Sequence, residues 1–369
     1  MTTAELISKP WSNSAVGYPL LLRMGHVFET ALGHRAAVGG FGGPLDVAIG
    51  GGDDDHYYVL NKYVSNNNTH RVRFAPITMT DQQGADIVPI INGEQQKPGH
   101  EFLKSPVCCT SNSEGTIFMT DEHVNVVAMF STAGETIGWW GEHGDLPGQL
   151  NAPSGISLAP DGTLWVVSTR SPRVQNFTQQ GEYIGGFGTF GVEAGQLNYP
   201  WAVDVDPINM SILVADWRND RIQRFSPDGE LLQVIDTMGR GLGPLNRPSG
   251  VAVDAHGDIY VCDRGSDRVL QFNQRGMFIE SLVGDAPMTV RGADRLETNP
   301  DMLRWRDHIV NLDREKRFWR PTSVRVDDQF RVLVVDTGRW RMQVYRKTFR
   351  ELAPGQADAA ATYTSPQLN

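Results

Sequence analysis

From residue 44 to residue 346 the chain alternates between short apolar runs and clusters of Gly, Pro, Asn and Asp. In its clearest stretch, Ile259 to Val261, Val269 to Phe272 and Phe278 to Val283 follow one another, each bounded by turn residues. Runs of this length, rich in Val, Ile, Phe and Tyr and interrupted at close intervals, predict β-strands joined by tight turns. No apolar run approaches the ~18 residues a membrane-spanning helix needs.

The runs repeat. Leu150-Asn-Ala-Pro153, Leu197-Asn-Tyr-Pro200 and Leu245-Asn-Arg-Pro248 each open a unit, and their prolines lie 47 and 48 residues apart. Each proline precedes a strand. A second run then ends at or near an aspartate (Asp216, Asp263), and a third begins at Arg173, Arg221 or Arg268 and closes on Phe177, Phe225 or Phe272. Weaker copies open at Pro44, Pro106 and Pro321, making six units. A four-stranded sheet of this kind cannot bury both faces alone, so neighbouring units must stack. A closed ring stacks them without leaving long free edges.

The pattern Leu-Asn-x-Pro-x-Gly, Asp-x-x-Gly and Asp-x-x-x-x-Arg-Val-x-x-Phe resembles the NHL repeat, most strongly over residues 150–284. That resemblance implies an all-β, six-bladed β-propeller with a central channel. After Tyr345 the sixth unit lacks a clear fourth strand, whereas Ala36 to Gly42 mimics Tyr183 to Gly188, a fourth strand. The N-terminal segment is therefore expected to complete the last blade. The domain reading is an N-terminal arm over 1–34, the propeller over 35–351 and a tail over 352–369 rich in Ala, Gln, Pro and Thr. Insertions at 76–105 and 285–317 both fall between a fourth strand and the next first strand. They are expected at one mouth of the channel. Met302, Leu303, Trp305, Ile309 and Leu312 fit an amphipathic helix over Asp301 to Asp313, placed as a lid or a docking surface.

Composition narrows the function classes. A net charge of −10 speaks against the whole surface being a nucleic-acid platform. A local basic cluster of Arg304, Arg306, Arg314, Lys316, Arg317 and Arg320 is diluted by Asp301, Asp307, Asp313 and Glu315. Three cysteines make no disulfide framework, and the first ten residues lack a secretory pattern, so a cytoplasmic setting is expected.

Three candidate sets carry chemistry. Asp121, Asp216, Asp263 and Asp336 end second strands, and the last three stand five residues before Arg221, Arg268 and Arg341. A feature that recurs in each repeat serves the repeat, so these are expected to brace turns by ion pairing. Arg170, Arg218, Arg264 and Arg339 instead lie in the loops between second and third strands, accompanied by Trp201, Trp217 and Trp340. Arginine with aromatics suits a small anionic or planar ligand, or an acidic protein partner. The competing reading is solvated loop charges with tryptophans capping blade edges. In the divergent second unit, Cys108 stands where Gly155 and Gly250 stand, and Asp121 and His123 lie in the neighbouring loop. Together they are the candidate nucleophilic or acid–base site, against a bland reading of a buried thiol.

No metal motif stands out. In amidating lyases that share this fold, histidines follow the strand-opening proline. Here those positions read Leu45, Val107, Ser154, Trp201, Ser249 and Thr322. Asp53 to Asp55 reads as a solvated acidic turn, and no cofactor can be assigned. The leading function is ligand or partner binding at the channel mouth. The alternative is an enzyme of the lyase or hydrolase class with its active site there.

Overall fold

The computed structural model describes residues 18–19, 21–33, 41, 43–51, 56–64, 70–77, 103–237, 243–286, 299, 301, 304 and 313–352. The described chain is all-β apart from short helical turns, with antiparallel sheets arranged as a propeller. Five sheets are four-stranded. They are β5–β8 (Pro106–Ser111, Thr116–Asp121, Val126–Ser131, Thr136–Trp140), β9–β12 (Pro153–Leu158, Leu164–Ser168, Arg173–Phe177, Tyr183–Phe187) and β13–β16 (Pro200–Val205, Ile212–Asp216, Arg221–Phe225, Leu231–Ile235). The fourth is β17–β20 (Pro248–Val253, Ile259–Asp263, Arg268–Phe272, Phe278–Leu282). The fifth joins β21 (Pro321–Val326), β22 (Arg331–Asp336) and β23 (Arg341–Glu351) to β1 (Leu21–Leu32). The first unit gives three strands among the described residues, β2 (Pro44–Ile49), β3 (Tyr57–Val64) and β4 (His70–Ile77). The expectation of six blades is thus corrected, among the described residues, to five four-stranded blades and this three-stranded sheet.

Apolar side chains are buried at the junctions between sheets. Leu213, Ala215 and Ile222 of one sheet meet Val251, Ile259 and Val261 of the next. At the seam, Val47, Tyr57 and Val59 pack on Leu333, Val335, Met342 and Val344. Burying each such side chain contributes about 1.5–3 kcal/mol, so the stacking of sheets rather than any one sheet stabilises the fold. Aromatics that end fourth strands bridge the junctions. Trp140 lies 4.9 Å from Phe177, and Phe187 lies 4.7 Å from Phe225. Trp140 also covers Gly181, where a Cβ would come within 2.4 Å of the indole and the backbone has φ +92°. The glycine of that turn serves both the turn and the neighbouring blade.

The N-terminal strand closes the last blade, as expected, but it is not Ala36 to Gly42. Those residues lie largely outside the described ones. The closing strand is β1, within the stretch read as an arm, paired antiparallel with β23 from Leu21 opposite Glu351 to Leu32 opposite Met342. Arg23 grips Asp258 with two hydrogen bonds, at 2.8 and 2.5 Å. Phe28 packs 5.5 Å from Tyr345.

The helix expected over Asp301 to Asp313 falls mostly outside the described residues, which show a single helical turn, α1, at Asp313–Lys316. Residues 78–102 of the insertion read at 76–105, and the acidic turn Asp53 to Asp55, also lie outside them. No helix among the described residues is long and apolar enough to cross a membrane.

Candidate functional site

First strands all begin at prolines on one face, the proline face, together with the loops between second and third strands. They end on the opposite face, the cup face.

On the proline face each second-strand aspartate is consumed by local structure. Arg221, Arg268 and Arg341 donate through Nε to Asp216, Asp263 and Asp336 at 2.8, 2.7 and 2.9 Å. The same carboxylates accept the backbone N–H of Asn198, Asn246 and Trp319 at 2.6, 2.6 and 2.7 Å, tying down the incoming chain. In the second unit, where Val126 replaces the arginine, Asp121 accepts instead from the backbone of Ser105, His123 and Val124. His123 is exposed in that turn.

Cys108 has other partners. Its thiol donates to Asp46 at 2.8 Å, and Arg325 Nη2 stands 3.1 Å from the sulfur. Burial first, then the Asp46 charge, pushes this thiol well up, with Arg325 only partly opposing. Cys109 and Cys262 are buried and shifted the same way. The structure therefore does not join Cys108 to His123 or Asp121.

Cys108 instead belongs to a plug across the channel. Arg325 donates to Asp46 at 2.8 Å and to the carbonyls of Cys109 and Ile156 at 3.1 and 3.4 Å, while Ser323 donates to the other Asp46 oxygen. Burial alone would raise the Asp46 carboxyl; Arg325 and these donors outweigh it and hold the carboxyl below the usual range. The plug separates a small cavity of about 60 Å³ on the proline side from a cup of about 500 Å³ on the other.

Sequence reasoning missed the plug and the cup. The fifth residue of each first strand is Ala48, Thr110, Ser157, Asp204, Ala252 or Arg325, and four of these six are polar, two of them charged. That intrusion was the available signal. Three of the six positions after the prolines, Ser154, Ser249 and Thr322, hold bridging hydroxyls: Ser249 donates to the Thr322 carbonyl at 3.0 Å and Thr322 to the Leu45 carbonyl at 2.9 Å.

The arginine and tryptophan set separates into groups. Trp201 and Trp217 lie 6.0 Å apart. The Arg218 guanidinium sits 3.8 Å over Tyr199 and 5.9 Å from Trp217, and Arg247 lies 5.0 Å over the same Trp217. The Arg264 turn is tied to both neighbouring segments, Gly265 N–H donating to the Asn246 carbonyl at 2.9 Å and Arg320 N–H to Asp267 at 2.7 Å. The Arg264 guanidinium binds its proton less tightly than usual because of burial, then the charges of Arg320 and Arg247, with Asp267 opposing. Arg339 lies 5.5 Å over Trp319 and donates to the Arg314 carbonyl at 2.6 Å. The Nε of both Arg264 and Arg339 is buried with no hydrogen-bond partner among the described residues. Arg170 is exposed and joins none of these groups.

Arg247, Arg320 and Tyr199, which the sequence reading did not place in this set, all precede a strand-opening proline in left-handed backbone, with φ of 50°, 54° and 52°. Two are fixed by the preceding blade: Arg247 N–H donates to Asp220 and Arg320 N–H to Asp267, at 2.6 and 2.7 Å. The fold thus aims successive arginines at one face. Guanidinium groups so placed can pair with carboxylate or phosphate, and the indoles supply planar apolar surface.

The sequence pattern of the NHL repeat matches residues 245–272. No curated protein matches the chain. Among solved structures, an auxiliary nutrient binding protein from Bacteroides thetaiotaomicron is similar in fold, at 12% identity over 89% of this chain and 78% of that one, with a TM-score of 0.56. A catalytically inactive virginiamycin B lyase from Staphylococcus aureus, crystallised with quinupristin, matches at 12% identity over 90% and 87% of the two chains, with a TM-score of 0.52. At such identities the likeness concerns the fold alone.

Proposed function

Taking as premise that the chain is an NHL-repeat β-propeller, we propose that it is a binding scaffold whose proline face receives an anionic ligand or the acidic surface of a partner. The observation that carries this reading is the convergence of Arg247, Arg264 and Arg320. These like charges repel one another, with Asp267 opposing and a buried Arg264 Nε left without a hydrogen-bond partner among the described residues. Such an arrangement costs free energy in the unliganded protein, and an anion relieves it. Tyr199 and Trp217 hold Arg218 and Arg247 by cation–π contact, with Trp201 beside Trp217.

The test is calorimetric titration of inositol hexakisphosphate into the wild type and into an Arg218→Gln, Arg264→Gln, Trp201→Ala variant. Charged hydrogen bonds are worth about 1.5–3 kcal/mol each, so binding should weaken at least about tenfold with little change in melting temperature. No binding to the wild type, or equal binding to the folded variant, would reject the reading.

A further inference from the structure

The cup on the opposite face has different chemistry. It is concave, about 500 Å³ in volume, and lies where the first strands end. Pockets of this size hold small ligands and characteristically combine apolar walls with a few fixed polar groups. Its walls include Leu158, Val253 and Val326, with Asn112 and Gln179 hydrogen-bonded to each other at 2.8 Å near the rim.

Asp204 lines this cup, and its carboxyl oxygens are held by hydrogen bonds. One oxygen accepts from the Ser157 hydroxyl at 2.6 Å and the other from the Val253 N–H at 2.8 Å. No ion pair involves Asp204 among the described residues. Among the described residues Arg325 is the only basic side chain lining the cup, and it is already engaged by Asp46 and two backbone carbonyls. Glu114 adds a second carboxylate at the rim. Burial raises the Asp204 carboxyl, and the Arg325 charge with the two hydrogen bonds does not restore it. A positive group reaching Asp204 would offset that burial.

We infer that the cup is a second binding site, for a small organic cation whose ammonium group pairs with Asp204 while its carbon skeleton rests on Val253 and Leu158. The site is independent of the proline-face reading, since the plug of Arg325, Asp46 and Cys108 lies between the two.

Saturation-transfer NMR and calorimetry on the intact chain with ethylammonium, putrescine and glucosamine, against ethanol, butane-1,4-diol and glucose as their neutral counterparts, test this. At least one cation should bind, its neutral counterpart should not, and Asp204→Asn should weaken binding at least tenfold. Arg218→Gln and Arg264→Gln should leave it unchanged. If Asp204→Asn does not fold, Ser113→Trp, an exposed rim substitution that does not touch Asp204, should block the cup and abolish the signal. Failure of every cation to bind, binding that ignores charge, or binding that survives both substitutions would overturn the inference.

Discussion

Asp216 and Arg221 show how one residue pair can hold a repeat together. Their side chains are 0% and 10% exposed, and the carboxylate also anchors the Asn198 amide. Removing the arginine alone leaves a buried carboxylate short of its charge partner, so Arg221→Ala should cost about 3–5 kcal/mol. Denaturant unfolding measures this, and a loss below about 1 kcal/mol would show that Asn219 and Gln223 suffice. The cysteines carry an opposite expectation from that of a reactive site. With all three thiols buried and raised, a thiol reagent at neutral pH should label none of them before unfolding. Fast, selective labelling of Cys108 would reinstate it as a nucleophile. The Asp–Arg pairs were legible in the sequence because they recur at fixed spacing. The Asp46–Arg325 plug was not, because its partners lie 279 residues apart and each occurs once.

Among the elements, β1 is where sequence pattern and structure part. Ala36 to Gly42 imitates a fourth strand in its glycines and Phe41, but offers few side chains to clasp a neighbour. Leu21–Leu32 brings Phe28 to Tyr345, Arg23 to Asp258 and His26 to Glu280 at 2.8 Å. Tertiary contact, invisible in a local motif, decides which segment pairs. Lys347, on the strand β1 covers, is buried and bonds Asp254 at 2.5 Å and Asp258 at 2.9 Å. Deleting residues 1–33 should expose the β23 edge and cause aggregation; a soluble, monomeric truncation with unchanged melting would contradict this closure. The clasp also has a pH signature. Burial would raise the Asp258 carboxyl, but Arg23 and Lys347 overcome it and hold it below its ordinary value. A depressed carboxyl stabilises the fold above its unfolded pKa, about 3.9, and that contribution is lost as pH falls through the folded value. Thermal melts from pH 7 downward should therefore show a steeper acid loss in the wild type than in Arg23→Gln. Parallel curves would mean the clasp contributes nothing.

At the scale of the whole molecule, exposed arginines stand out against an acidic chain. The chain carries a net −10, yet Arg218, Arg247 and Arg320 are exposed on the proline face. The ring and its strands were legible because repeats set them. The groups within that face were less so, because Arg247 and Arg320 reach Arg264 from a neighbouring loop and the next blade, across a junction no local motif encodes. Hydrogen exchange of the intact chain, with and without inositol hexakisphosphate, tests the central claim most directly. The turns at 217–219 and 264–266 and the segment 245–248 should exchange more slowly with the anion present, while the cup-face turns at 112–115 and 206–210 stay unchanged. Protection confined to the cup face, or none at saturating anion, would contradict an arginine-lined binding face.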